Sequence, residues 1–405
     1  MQTHSHQLTL LQGSSEFFPA LIRALDAAKV EVRLETYIFD FHADSLLVAQ
    51  AIEQAALRGV SVSLMMDGVG TPEVPLEWQI RWQNARVEYK IFDPVGPRAL
   101  WFPSRWRRLH RKLCVIDQRI GFCGGINILD DHYDPHHGAT MPHARLDFAV
   151  QVIGPCVQAM RAEMLQVWVG TSWLKGLHKT VLMTTFKRGR KVLQTSSLSK
   201  EDPLDKLARG TYPDHSHCHL VLRDNVLNRQ SIASAYINAI DTARSEVIIA
   251  SAFFLPQHRL RKSLIQAAKR GVSVTLVLQG HYEFALPYRA ARRLYGELLE
   301  AGVNIVEYQL TYLHAKVAFV DTHWCTVGSS NLDPLSLLLA REANLVVKDP
   351  EITSELRTRL KIAIESGGLM VEPAQFKNRA YLERMADQVS YWLMKLAIFM
   401  SGKHY

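Results

Sequence analysis

His110 and Lys112 stand two residues apart in LHRKLCVIDQRIGFCGGINI (109–128), and Asp117 follows the lysine five positions later. His314, Lys316 and Asp321 repeat that spacing in LHAKVAFVDTHWCTVGSSNL (313–332). Alternate side chains of an extended strand leave the same face, so each copy read as a strand sets two proton-active groups, an imidazole and an ammonium, side by side. A lone His-x-Lys pair is ordinary on a solvated surface. Two copies with one aspartate offset are not, because packing does not require that triplet twice. Each copy runs on into small residues that end in asparagine, GGIN (124–127) and GSSN (328–331), where a phosphate can approach backbone donors closely.

The elements that must position these groups repeat as well. ALDAAKVEVRLETYIF (24–39) parallels AIDTARSEVIIASAFF (239–254), each a helix end, a polar turn and an apolar β run. AIEQAALRGVSVSLMMDG (51–68) parallels LIQAAKRGVSVTLVLQG (264–280), an amphipathic helix stopped at Gly59 or Gly271 and followed by an alternating strand. A third pair, NARVEYKIFDP and EAGVNIVEYQL, precedes the His-Lys stretch, which itself reads as strand, turn, strand. Each half is thus an α/β layer unit. Between them, residues 174–217 lose periodicity and gather Lys, Arg, Ser and Pro, which places a junction near residue 205 and domains at 1–205 and 206–405.

Length and composition agree with two ordinary soluble domains: 405 residues, 48% apolar and 21% charged. A net charge of +8 points to an anionic partner, nucleic acid or an acidic membrane surface. The five cysteines (Cys114, Cys123, Cys156, Cys218, Cys325) show no CxxC pair and read as reduced, mostly buried thiols. The N-terminal stretch lacks the features of a signal peptide, and no run reaches the length of a membrane span. The expectation is a cytoplasmic protein, soluble or peripheral to a membrane.

With both motifs in view, the chain resembles the phospholipase D superfamily, and within it the bacterial cardiolipin synthases of the shorter, B-like type. LETYIF, HRKLCVID, GGIN, LDFAVQVIGP, LHAKVAFVD, GSSNLDPLSL and REANLVV carry the likeness. The resemblance implies a fold of two tandem α-β-α sandwich domains related by a pseudo-twofold axis and sharing one active site. It implies His110, Lys112, Asp117, His314, Lys316 and Asp321 as the catalytic set, with Asp117 and Asp321 usually structural. Asn127, Asn331 and Ser329 are the expected hydrogen-bond donors to phosphate, and Asp147 and Glu342 the expected carboxylates beside His110 and His314 respectively. No cofactor and no metal ion is implied. Chemically, one imidazole attacks phosphorus to form a phosphohistidine while the other protonates the departing oxygen and later deprotonates the incoming hydroxyl. The lysines neutralise the non-bridging oxygens. Family analogy makes His110 the nucleophile and His314 the acid, and the near symmetry keeps the reverse assignment open.

The implied reaction is transfer of a phosphatidyl group between phosphatidylglycerol molecules with release of glycerol, at the cytoplasmic side of the cell membrane. Alternatives are hydrolysis or transfer to another alcohol, metal-independent cleavage of nucleic acid, and a non-catalytic membrane-binding scaffold. Nucleic acid is the less favoured partner. PRALWFPSRWRRLHRK (97–112) interleaves Trp101, Phe102 and Trp106 with arginines, which suits a lipid headgroup interface, stacked bases or a plain packed loop. Helical spacing puts Leu382, Met385, Val389, Trp392 and Leu396 on one face of 381–400, to lie in a membrane interface or to fold back on the second domain. The His- and Asp-rich run 130–143 fits no standard metal spacing and reads as an exposed loop contributing to substrate entry.

Overall fold

Gly59 and Gly271 hold the left-handed conformation at φ 91° and 90°, and there the chain turns from helix into strand in each half. The computed structural model describes residues 6–94, 108–134, 138–176, 217–224, 228–281, 285–333 and 340–400. The first half runs β1 (Gln7–Gln12), α1 (Gly13–Asp26), β2 (Glu31–Thr36), α2 (Ser45–Leu57), β3 (Ser61–Asp67), α3 (Leu76–Ala85) and β4 (Glu88–Phe92). It continues through β5 (Arg108–Leu109), β6 (Lys112–Ile116), β7 (Ile120–Gly124), β8 (Tyr133–Asp134), β9 (Ala139–Thr140), β10 (Phe148–Ile153) and α4 (Cys156–Gly176). The second half runs β11 (Cys218–Arg223), α5 (Ser231–Asp241), β12 (Glu246–Ser251), α6 (His258–Lys269), β13 (Ser273–Gln279), α7 (Ala285–Glu300) and β14 (Asn304–Tyr308). Then follow β15 (Lys316–Val320), β16 (Trp324–Gly328), β17 (Ala340–Val347), α8 (Pro350–Gly367), β18 (Gly368–Met370), α9 (Pro373–Lys377) and α10 (Tyr381–Met400).

The repeat in sequence is a repeat in topology. The first sheet has the strand order β1-β10-β7-β6-β2-β3-β4, and the second matches it strand for strand as β11-β17-β16-β15-β12-β13-β14, with β18 added at the edge. In each, the three strands joined by helices are parallel, and the remaining neighbours in these two strand orders are antiparallel. The expected junction near residue 205 falls outside the described residues.

Alternation was expected for the strand after each Gly, yet β3 is buried from Val62 to Asp67. The reason is that both faces of the sheet are covered. Val62, Leu64 and Met66 pack beneath α1 to α3, while Met65 meets Leu109 and Val167 on the other side. Along β6 the faces separate cleanly: Cys114 and Ile116 join the outer core, and Leu113 and Val115 join a core shared with Val317, Phe319 and Leu345 of the second half. Met160 and Met164 of α4 and Leu356 and Leu360 of α8 complete that shared core. Truncating one such leucine to alanine costs about 2–5 kcal/mol, so the halves are bound by the same apolar packing that folds each of them.

Two short pairings then carry backbone across the boundary. β5 of the first half joins β17 in parallel, Ala340 opposite Arg108 and Arg341 opposite Leu109, and Leu146 forms the counterpart bridge with Leu313. All five cysteines are buried and free. Helix α10 does fold onto the second domain, but the packed face is the one bearing Asp387, Ser390 and Met394, and the apolar stripe faces outward.

Candidate active site

The strands begin at the lysines, not at the histidines: β6 opens at Lys112 and β15 at Lys316. Two residues earlier the chain has left its own sheet to pair with the other half. The His110 N–H donates to the Arg341 carbonyl at 3.1 Å, and the His314 N–H donates to the Leu146 carbonyl at 2.9 Å. Each histidine is thereby set beside the residue that follows its partner, which is Glu342 for His110 and Asp147 for His314.

The side chains obey the same geometry. His110 Nδ1 lies 3.0 and 3.1 Å from the two oxygens of Glu342, and His314 Nδ1 lies 2.6 Å from Asp147 Oδ2. The expected pairing was the reverse, Asp147 with His110 and Glu342 with His314, and it is corrected here. The pseudo-twofold crosses the partners, so each imidazole is oriented by a carboxylate from the opposite half. A carboxylate on Nδ1 fixes the tautomer and leaves Nε2 to face a substrate.

Lys112 Nζ donates to the His110 carbonyl at 2.7 Å, and Lys316 Nζ donates to that of His314. Both ammonium groups are buried and lie within electrostatic reach of both histidines. Burial, with the neighbouring Lys316, brings Lys112 down to about 7. His110 is lowered by burial, against the pull of Glu342. His314 is held well below the usual imidazole range by burial and by the charges of Lys316 and Lys112. Burial raises Asp147 to about 7, against the pull of Lys316. Burial also pushes Glu342 up, but His110, Lys112 and Ser329 together keep it below the ordinary carboxylate range.

Ser329 was expected to face phosphate, and the structure instead turns it behind Glu342. Its hydroxyl donates to Glu342 Oε2 and accepts from the Ala343 N–H at 3.1 Å. The matching position in the first half is Gly125, where an added Cβ would lie 2.3 Å from Asp147 Oδ1. The shorter Asp therefore sits directly over a glycine, whereas the longer Glu is held by a serine hydroxyl. Asn127 Oδ1 accepts from the Ile38 N–H at 3.1 Å, which leaves its amide hydrogens to donate. Asn331 is buried, and its Oδ1 has no hydrogen-bond partner among the described residues.

Asp117 and Asp321, grouped by spacing with the reactive residues, stand apart from them. Asp117 accepts from the N–H groups of Lys29, Val30 and Glu31 at 2.8 to 3.0 Å. Asp321 accepts from Arg244, Ser245 and Glu246 at 2.8 to 3.0 Å. Each ties the turn after the His-Lys strand to the turn before the adjacent antiparallel strand, β2 or β12.

Four further residues belong to the neighbourhood. The Tyr37 ring meets the His110 ring edge-on at 5.0 Å, with Lys112 Nζ 5.3 Å from its centroid; burial and the nearby Asp67 push its phenol up to about 12. Asp67 accepts from the Leu109 N–H at 2.7 Å and Gln279 from the Leu313 N–H at 3.3 Å, pseudo-symmetric props for the residue before each histidine. Arg145 adds a positive charge near His314. The only sequence signal for them was that Tyr37 lies in LETYIF and that Asp67 and Gln279 end matching strands.

The His- and Asp-rich run is less open than expected. Asp131 is buried and accepts from the Ser14 N–H at the start of α1, and the His143 carbonyl accepts from Thr311 Oγ1 of the second half at 3.0 Å. His136 and His137 lie outside the described residues, as do Trp101, Phe102 and Trp106. Among the described residues, no group of three or more His, Cys, Asp or Glu side chains is arranged to hold a metal ion.

A family model described as "Cardiolipin synthase, PLD-like domain" matches residues 21–141 and again residues 236–362, one match in each half. The chain belongs to this family. Among curated relatives of the cardiolipin synthase family, cardiolipin synthase B of Salmonella typhi is 36% identical over 378 residues, covering 93% of this chain and 84% of that protein. Cardiolipin synthase B of Escherichia coli K12 is 33% identical over 381 residues, covering 93% and 84%. The crystal structure of phosphatidylserine synthase from Haemophilus influenzae Rd KW20 matches with a TM-score of 0.66 at 15% identity, covering 98% of this chain and 94% of that one. That likeness is one of fold, two tandem α/β domains along the whole chain.

Proposed function

We propose that the chain is a phosphatidyltransferase that makes cardiolipin from two phosphatidylglycerol molecules. The observation that carries this reading is the crossed pair: two imidazoles, each fixed through Nδ1 by a buried carboxylate of the opposite half, with both lysines beside them. Membership of the cardiolipin synthase family supplies the substrate class.

In the first step His110 Nε2 attacks the phosphorus of one phosphatidylglycerol. The phosphorus–oxygen bond to glycerol breaks, and His314 gives the departing oxygen its proton. In the second step His314 takes the proton from the hydroxyl of another phosphatidylglycerol, whose oxygen attacks phosphorus and releases His110. Lys112 and Lys316 offset the charge that grows on the non-bridging oxygens, with Asn127 and Asn331 as the amide groups nearest to that role. His110 suits the nucleophile because the carboxylate behind it, Glu342, stays ionised while its own lowered pKa keeps it neutral. His314 suits the acid and base because Asp147, 2.6 Å from its Nδ1, stabilises the imidazolium as it forms. Burial and then the charges of Lys316 and Lys112 lower His314; a phosphate anion beside the lysines offsets the second of these, so substrate binding favours the protonated acid.

Among the described residues, no helix is long and apolar enough to cross a membrane. On the strength of the cardiolipin synthase relatives we place the enzyme at the membrane surface, on its cytoplasmic face. The test is mass spectrometry of phosphatidylglycerol vesicles incubated with purified protein and chelator. Cardiolipin and glycerol are expected from the intact protein and from neither His110→Ala nor His314→Ala. Phosphatidic acid as the main product would make the enzyme a hydrolase, and unchanged lipid would overturn the reading.

A further inference from the structure

Helix α10 is fastened to the second half by its polar side. Asp387 bonds Arg379 at 2.7 Å and lies 3.7 Å from Arg289, and Asp387, Ser390 and Met394 are all buried. The opposite side carries Leu382, Met385, Val389, Trp392, Leu393 and Leu396, each between 45% and 77% exposed. Their spacing of i, i+3, i+7, i+10, i+11 and i+14 makes one continuous stripe. Soluble monomers rarely leave such a stripe in water.

The charges around it are mainly positive. Arg384 and Lys395 are exposed on the same helix, against one exposed acid, Glu383, and a groove of about 620 Å³ between α7, α9 and α10 opens beside Tyr381 and Met385, with Arg293, Lys377 and Arg384 among its walls. Of the groove's acids, Glu300 is open to solvent and Asp387 is already neutralised by Arg379 and Arg289. An apolar stripe with a basic margin is the pattern of a helix lying in an anionic lipid interface.

The direction of the helix adds a second argument. Arg289 meets Asp387, Arg293 bonds Gln388, and Gly296 to Glu300 face Tyr381 to Met385 across the groove, so α10 runs antiparallel to α7. Helix α7 begins shortly after Gln279, whose side chain holds Leu313 beside His314. The Trp392 end of the stripe therefore advances toward the end of the sheet where the site lies.

We infer that the exposed face of α10 docks the protein on an anionic phospholipid bilayer, Trp392, Leu393 and Leu396 being the end nearer the site. This rests on the phospholipid reading of that site. The test compares the intact chain with Val389→Glu/Trp392→Glu in sedimentation with vesicles of phosphatidylglycerol and phosphatidylcholine, alongside vesicles of phosphatidylcholine alone. Vesicle affinity is expected to fall by roughly a hundredfold in the double variant, with melting temperature and product formation on detergent-dispersed phosphatidylglycerol unchanged. His314→Ala is expected to bind vesicles like the intact chain, so docking is read even if no cardiolipin forms. Equal vesicle binding by the double variant would overturn the inference. So would light scattering that shows a dimer split to monomers by the double substitution while vesicle binding persists, which assigns the stripe to a second copy of the chain.

Discussion

The crossed carboxylates predict which variants fail together. Asp147 lies 2.6 Å from His314, and at a charge separation of about 4 Å with an effective dielectric near 20 a carboxylate favours the imidazolium by about 4 kcal/mol. That is close to three powers of ten in rate if His314 must be protonated in the transition state. Asp147→Asn should therefore slow formation of the phosphohistidine from phosphatidylglycerol by about a thousandfold. The loss should shrink to roughly tenfold or less with a phosphatidyl ester of p-nitrophenol, which leaves without needing a proton. His314→Ala should show the same rescue. Glu342→Gln and His110→Ala impair the attacking imidazole, and no leaving group rescues them. The assay is rapid-quench measurement of the first-turnover nitrophenolate burst against glycerol release. If Asp147→Asn groups with His110→Ala, or if Glu342→Gln is the rescued carboxylate variant, the crossed assignment of roles is refuted.

Three other outcomes follow. Ser329→Ala removes a hydrogen bond that helps hold Glu342 below its usual range. Its pKa must rise, so in a pH–rate profile the acidic limb, along which activity is lost as pH falls through that pKa, moves to higher pH, with kcat down about tenfold. Because burial, then Lys316 and Lys112, lower His314, and burial with Lys316 brings Lys112 to about 7, binding of inorganic phosphate should take up protons near neutral pH, seen as buffer-dependent heats in calorimetry and reduced in His314→Ala; uptake unchanged in that variant would count against the arming of His314 by substrate. Asp117→Asn, which disturbs the three bonds that its carboxylate accepts from backbone N–H groups, should cost about 1–2 kcal/mol in denaturant unfolding while leaving the pH–rate profile in place. The depressed pKa of Asp117 and that of Asp321 mean that their contribution is present above the ordinary aspartate pKa and is lost as pH falls through the lowered values.

The histidines, the lysines and the duplicated α/β plan were legible because they are local: fixed spacing within a strand, and helix-to-strand steps that recur in order. The carboxylate partners were not legible in the same way. Asp147 and Glu342 could be picked out as residues, but which histidine each serves depends on β5 joining the other sheet, a pairing 232 residues apart for His110 and Glu342. Ser329 was misplaced because GSSN was read as a phosphate-facing loop, and nothing local says that its hydroxyl turns inward to Glu342. Tyr37 escaped notice because an aromatic in an apolar β run looks like core until the fold puts His110 against it. For α10 the period was right and the side was wrong: the apolar face need not be the packed one when a salt-bridged Asp387 can anchor the other.

Because each histidine is oriented by the opposite half, neither half contains a complete histidine–carboxylate pair. If the two halves were produced as separate polypeptides, activity would rise with the product of their concentrations until the shared apolar core saturated, and would vanish on dilution. A lesion in one half's carboxylate would also be felt at the other half's imidazole. Two singly damaged chains that exchanged halves could then rebuild one intact site between them.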